Sequence, residues 1–252
     1  VKAFDIAARD LRSYFLSPLS WVVLAVVQLV AAWFMLVLLD NYIQLQPRLA
    51  ALSNAPGITQ LVVTPLMHTV SFACMFLVPM ITMRSISAER HSGSLTLLLS
   101  APVSVTEIVL GKYLAILGYL LCVAGLIALT CLGLFAGGSL DVGLLSAALI
   151  GFVLTIACFG AAGLFFSTLT SYPPVAAVSA FGFLMLMWLL GMAGSGSDEK
   201  VEGLLAMLSF RSHLEHFLTG LVETQDLLYF ALFIVTFVSL SIRRLDTMRL
   251  SA

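Results

Sequence analysis

The chain has 252 residues, of which 61% are hydrophobic and only 10% charged, with a formal net charge of −1 and a mean hydropathy of +1.09. A water-soluble domain carries nearer to ~25% charged residues, and a chain this short cannot bury so much apolar surface in a core of its own, so a soluble fold is excluded. The net charge says nothing about partners, because membrane proteins distribute charge by side rather than by sum.

The sequence predicts an all-α integral membrane protein of one domain, 1–252, with six spanning helices. Residues 1–17 form an amphipathic helix, with Phe4, Ala7, Ala8, Leu11 and Phe15 on one face and Lys2, Asp5, Arg9 and Arg12 opposite. Asp5 and Arg9 stand four apart, a favourable helix pair. Such a helix lies in the plane of the membrane interface. The charges of this stretch rule out a cleavable signal peptide, so the first span is expected to direct insertion.

Pro18 ends that helix, and the first span covers about 19–39. Residues 40–64, with Asp40, Asn41, Gln44, Gln46, Pro47, Arg48 and Asn54, read as a polar loop. A second span of about 65–83 leads into the most polar internal segment, Arg84 to Ser94. Ser104 and Glu107 have the spacing of a capping box and open a third span, about 107–136. Lys112 reads as an anchor that snorkels to the headgroups.

A tight turn at Gly137, Gly138, Ser139 and Asp141 leads into the fourth span, about 144–169. Its Gly160 and Gly163, with Ala157, Ala161 and Ala162, make a small-residue stripe suited to close helix packing. The stripe can face its own bundle or a second copy. Ser171 to Pro174 break the chain before the fifth span, about 175–193. In 204–222 an apolar face (Phe210, Leu214, Phe217, Leu218, Leu221) opposes a polar one (Arg211, Ser212, Glu215, His216, Thr219), which predicts a helix at the membrane surface. The sixth span, about 227–242, ends at Arg243 and Arg244, with Arg249 close behind.

Sidedness follows from Lys and Arg. With both termini on one side, that side receives Lys2, Arg9, Arg12, Arg84, Arg90, Lys112, Arg243, Arg244 and Arg249, and the other only Arg48, Lys200 and Arg211. Positive charge favours the cytoplasm, so both termini and the 84–106 segment are expected there.

The missing chemistry is equally informative. Away from their ends the spans hold no acid or base except His68 in the second. Ion-coupled carriers need buried charge to bind the coupling ion, and channels need charged rings or a carbonyl filter. Gly111-Lys112-Tyr113 is not a phosphate-binding loop, since Thr106 stands where its first glycine belongs and Tyr113 cannot serve magnesium. No catalytic residue is expected. Cys74, Cys122, Cys131 and Cys158 all lie in apolar stretches without a C-x-x-C pair, and read as packing residues. His213, Glu215 and His216 could ligate a metal, but a closed site wants three or four donors, so they read as a wet helix face and no metal is expected.

The segment Arg84, Glu89-Arg90, Gly93-Ser94-Leu95-Thr96-Leu97-Leu98, Pro102-Val103-Ser104 and Gly111-Lys112 resembles that of ABC-2 type permeases. The start, Arg9 to Pro18, and the tail, His216-Phe217, Gly220, Asp226 and Tyr229, are similar to the gliding-motility and nitrous-oxide-reductase-maturation branch. The resemblance implies a permease subunit of an ATP-binding cassette transporter in a bacterial cytoplasmic (inner) membrane, driven by a separate cytoplasmic ATPase that binds the ATP and magnesium. It implies a coupling helix contacting that ATPase through Arg84, Glu89, Arg90, Gly93, Ser94, Leu95, Thr96 and Leu97. It also implies a connecting helix carrying Phe4, Arg9, Leu11, Arg12 and Phe15, and makes 204–222 an outer-leaflet helix. Ser94 replaces the commoner threonine and Thr96 the commoner glutamate, which removes a charge from the contact. A second permease copy or paralogue completes the transporter, the lipid bilayer surrounds it, and there is room for an extracytoplasmic accessory protein. Cofactors bound by this chain and nucleic-acid partners are not expected. Short outer loops and absent ion sites fit export. The alternative is a membrane anchor that recruits an ATPase for assembly or mechanical work; an intramembrane enzyme would need a catalytic pair or metal triad, which the spans lack.

Overall fold

The structure of the protein, a computed structural model, describes residues 2–49, 57–94, 103–136, 141–193, 203, 205 and 207–250. The expected turn at 137–139, the loop 194–200 and Leu95, Thr96 and Leu97 lie outside the described residues. Among the described residues there is no strand. The helices are α1 (Lys2–Leu16), α2 (Pro18–Leu49), α3 (Thr64–Thr82), α4 (Ser87–His91), α5 (Val105–Leu132), α6 (Val142–Leu169), α7 (Pro173–Ala193), α8 (Phe210–Leu218) and α9 (Thr224–Leu250). Six of them, α2, α3, α5, α6, α7 and α9, are long and apolar enough to cross a membrane.

Three boundaries differ from the sequence reading. The helix of the first span runs on to Leu49 and takes in Asp40, Asn41, Gln44, Gln46, Pro47 and Arg48, expected in a loop; residues 50–56 lie outside the described residues. At 1.5 Å per residue its 32 residues reach about 48 Å, well past a ~30 Å hydrocarbon core. Hydropathy marks the end of the bilayer, not of the helix. An already formed helix adds polar residues without repeating the cost of nucleation, and the Gln44 amide donates to Asp40 one turn earlier, at 2.9 Å. For the same reason α9 continues past Arg243 and Arg244 to Leu250, where Arg249 donates to the Val103 carbonyl at 3.3 Å. The second span starts early, with a π-helical turn, Thr59–Val63, leading into α3. Pro65 has no N–H to give the ladder there.

Helix α6 is the centre of the bundle: 56% of its most apolar stretch is buried, against 22% for those of α2, α7 and α9, which leave their apolar sides to lipid. Its small residues are what let neighbours approach. A Cβ on Gly160 would lie 2.9 Å from Ile116 of α5, and one on Gly163 would meet Thr82 of α3. The stripe of small residues therefore faces its own bundle. At the other end of α6, a Cβ on Gly151 would stand 2.6 Å from Cβ of Phe217 in α8.

The capping box forms as read. The Ser104 hydroxyl accepts from Glu107 N at 3.2 Å, and the Glu107 carboxylate accepts from Ser104 N at 3.0 Å. Opposite ends of the bundle are tied separately. At the end away from the termini, Asp141 N donates to the Thr59 hydroxyl and the Thr64 hydroxyl to the Leu218 carbonyl.

Helix α1 has an outward side and a side packed on the bundle. Phe4 is 71% exposed and Ala8 is exposed too. The packed side carries Ile6, Asp10, Leu11 and Tyr14 and runs along the first half of α5. Leu11 sits on Gly118, and Tyr14 and Phe15 each lie 6.0 Å from the Tyr119 ring. The turn into α2 is pinned by Tyr119, whose hydroxyl donates to Ser20 O at 2.7 Å, and by Trp21, whose indole donates to Phe15 O at 2.7 Å. Asp10, on the packed side, pairs with a buried ammonium as described below. Close approach depends on Gly111: a Cβ there would lie 2.8 Å from the Ala3 carbonyl oxygen and 2.9 Å from Ile6 Cβ. A backbone oxygen cannot swing aside, so Gly111→Val should displace α1 and cost about 1–3 kcal/mol. Limited proteolysis would show it as faster cleavage within residues 2–16 while the rest of the bundle stays protected.

Candidate functional site

At the end of the bundle that carries both termini, the chain leaves α3, turns through Met83 to Ile86 and makes one short helical turn, α4. Ser167, near the end of α6, holds that turn: its hydroxyl accepts from Ile86 N (3.1 Å) and Ser87 N (2.9 Å) and donates to Met83 O (3.2 Å). The two N–H groups are among those a helix start leaves without a partner. After α4, Gly93 takes φ +76°, the left-handed region that favours glycine. The hydroxyls of Ser92 and Ser94 turn back onto the Glu89 carbonyl at 3.2 and 3.3 Å.

Beneath this segment lies Lys112, 1% exposed. Its ammonium donates to Asp10 Oδ2 (3.1 Å) of α1, to Glu89 Oε1 (2.7 Å) of α4 and to the carbonyl of Ser85 (2.8 Å). An ammonium has three protons, and all three are placed. Lys112 is therefore no snorkelling anchor. Two carboxylates and a carbonyl brought to it by other segments solvate its charge better in place than the headgroups would after leaving both acids unpaired. Asp10 is shared with Arg9, 2.9 Å away. A cavity of about 120 Å³ lined by Asp10, Tyr14, Ser17, Arg84, Glu89 and Lys112 opens beside the cluster, and Arg84 reaches across to the Ser17 hydroxyl at 3.1 Å.

The residues expected at a partner contact thus separate into two groups. Arg84, Gly93 and Ser94 are exposed, and Arg90 is partly so. Glu89 instead turns its carboxylate inward, and its Oε2 is buried with no hydrogen-bond partner among the described residues, as is the Ser87 hydroxyl. Buried polar atoms without partners are costly. His91 lies 5.9 Å from the Tyr172 ring, so α4 also touches the turn before α7. Of the connecting-helix residues, Leu11 and Phe15 pack on α5 while Phe4, Arg9 and Arg12 point outward. Asp10 and Ser167 escaped the sequence reading. Nothing local marks either, since their partners lie 102 and about 80 residues away.

A second cluster stands at the opposite end. Helix α8 is shorter than the amphipathic stretch suggested and ends in a Schellman motif, with Gly220 N on Phe217 O, Leu221 N on His216 O and Gly220 at φ +85°. That turn takes Leu221 off the packed face, leaving it 57% exposed. Phe210, Leu214, Phe217 and Leu218 are buried as expected. His213 does not belong to a wet face: it is 5% exposed, stacked on Tyr229 at 4.0 Å, with Nδ1 2.5 Å from Asp226 Oδ1 and Nε2 3.0 Å from the Met207 carbonyl. His216 Nδ1 lies 3.0 Å from Asp226 Oδ2. Asp226 itself, in the first turn of α9, is 1% exposed. Its place in the tail pattern was visible in the sequence, but not that it would gather both histidines.

No protein among curated sequences matches this chain. A family model described as "ABC-2 family transporter protein" matches residues 4–250.

Proposed function

The chain belongs to the ABC-2 family of transporter proteins, and from that premise we propose that this permease subunit is moved by a separate cytoplasmic ABC ATPase that docks on the Arg84–Ser94 segment. The observation that carries this reading is the Lys112 cluster. Through one ammonium, α4 is tied to α5 and α1, so a push on α4 reaches two helices of the bundle at once. The docking surface consists of Arg84, Arg90, His91, Gly93 and Ser94, and continues in sequence through Leu95, Thr96 and Leu97. Glu89 supports it from below rather than touching the ATPase.

The excess of Lys and Arg at the terminal end supports a cytoplasmic position for that end. The ATPase holds the ATP and magnesium. Two permease subunits enclose the pathway, and closure of two ATPases around nucleotide tilts the spans to alternate access, exporting substrate from the cytoplasm across the inner membrane. The exposed apolar faces of α2, α7 and α9 supply surface for lipid and for that second subunit.

Co-purification of the tagged permease with its cognate ATPase in detergent tests the docking. Arg84→Gln with Arg90→Gln should sharply weaken capture while costing the permease's own stability no more than the Arg84–Ser17 hydrogen bond. Equal capture by wild type and variant would move the docking site to the turn before α7 or to α1. A wild type that captures no ATPase would end the proposal.

A further inference from the structure

We propose that His216, Glu223 and Asp226, where α8 meets α9, form a binding site for a first-row transition-metal dication of the zinc class. The donor atoms of these three side chains lie within 4.8 Å of one another. The Schellman turn at Gly220 brings them together by reversing the chain so that Glu223 returns beside the end of α8. The site is independent of the ATPase contact, which lies at the other end of the bundle.

Asp226 is held in place before any ion arrives. His213 contacts its Oδ1 with one ring nitrogen and the Met207 carbonyl with the other, so both faces of the imidazole are committed and His213 is a positioning residue, not a ligand. Such outer partners orient the groups that hold a metal. His216 and Asp226 already stand 3.0 Å apart, Nδ1 to Oδ2. An ion at about 2.1 Å from each, the usual zinc distance, would subtend roughly a right angle between them. It would take the position of the proton now shared there, with the ring carrying its proton on Nε2 instead.

The donor chemistry selects the class of ion. One imidazole and two carboxylates suit zinc or manganese, whereas soft cuprous copper wants sulfur. The two carboxylates neutralise a dication. Three protein donors leave a fourth tetrahedral position open, as in zinc sites that keep a water or an exchangeable ligand. His216 is about half exposed and Glu223 is exposed, so an ion can enter from the membrane surface. Once bound it would clip α8 to α9 through groups that otherwise share only hydrogen bonds.

The test is calorimetric titration of zinc chloride into the full chain in detergent, purified through a tag without histidine and stripped with chelator. Wild type should bind one ion per chain at micromolar concentration or below, with a rise in thermal midpoint. Glu223→Gln, at an exposed position that leaves the fold intact, and His216→Gln should each weaken binding at least ~100-fold, since even outer-shell changes cost 10–100-fold. His91→Gln, at the opposite end, should bind as wild type does. Absence of tight binding in wild type, unchanged affinity in both site variants, or loss of binding in His91→Gln would each overturn the assignment.

Discussion

Lys112→Met should destabilise the chain by about 3–5 kcal/mol, the usual cost of removing one partner from a buried ion pair. Methionine keeps the length and apolar stem of lysine, so packing against α1 is retained and only the ammonium is lost. What remains is two carboxylates, Asp10 and Glu89, converging on an empty centre, with the Ser85 carbonyl also stripped of its donor. Neutralising the pair should reverse most of the damage: adding Asp10→Asn and Glu89→Gln leaves an amide-lined pocket, and buried ion clusters replaced by neutral groups are often as stable as the original. Thermal unfolding in detergent reads both effects. A single variant within ~1 kcal/mol of wild type would mean that water screens the cluster and that it does not hold α4. The neutral triple variant separates structure from coupling, because it should fold yet transmit nucleotide-driven movement poorly, seen as ATP hydrolysis without transport.

Removing Asp226 should have the next largest effect. Asp226→Ala leaves His213 wedged between Tyr229 and Phe230 with one nitrogen facing nothing, and releases His216 as well. The expected loss is ~3 kcal/mol, between that for an orphaned polar group and that for a broken buried pair. Asp226→Asn should cost less, since an amide oxygen can still accept from the His213 ring. Hydrogen exchange localises the damage: amides of residues 210–218 should exchange faster, while α1 and α5 keep their protection. Uniform loosening of the whole bundle, or none, would show that Asp226 does not pin α8 to α9.

The features legible in the sequence were those written in adjacent residues. The capping box at Ser104 and Glu107 is a spacing of three, and spans four and five, read as about 144–169 and 175–193, are helical over Val142–Leu169 and Pro173–Ala193. The apolar face of α8 is a periodicity. Where two rules compete, the local one misleads. Hydropathy ended the first and last spans too soon because it reports solvent rather than backbone, and the polar extensions of α2 and α9 are helical as well. The side of α1 that packs on the bundle could not be read, because Asp10 is drawn there by a buried ammonium 102 residues away. Lys112 looked like an anchor because its helix position alone cannot reveal two carboxylates arriving from elsewhere. The stripe on α6 could be seen, but its direction could not, since that depends on where Thr82, Ile116 and Leu120 come to lie.

The Lys112 cluster also bears on how the protein is made. Asp10 precedes Lys112 by 102 residues, and at 5–20 residues per second of synthesis it is exposed for about 5–20 s before the lysine exists. Glu89, only 23 residues upstream, waits far less. During that interval α1 cannot take its final seat, because Gly111 and Gly118, the notches that receive it, have not yet entered the membrane either. Until then Phe4 and Ala8, the residues on its outward side, can hold it at the bilayer surface. The apolar pattern on the outward side of α1 would thus serve the nascent chain first, and the corner joining α1, α4 and α5 would be among the last parts of the terminal end to close.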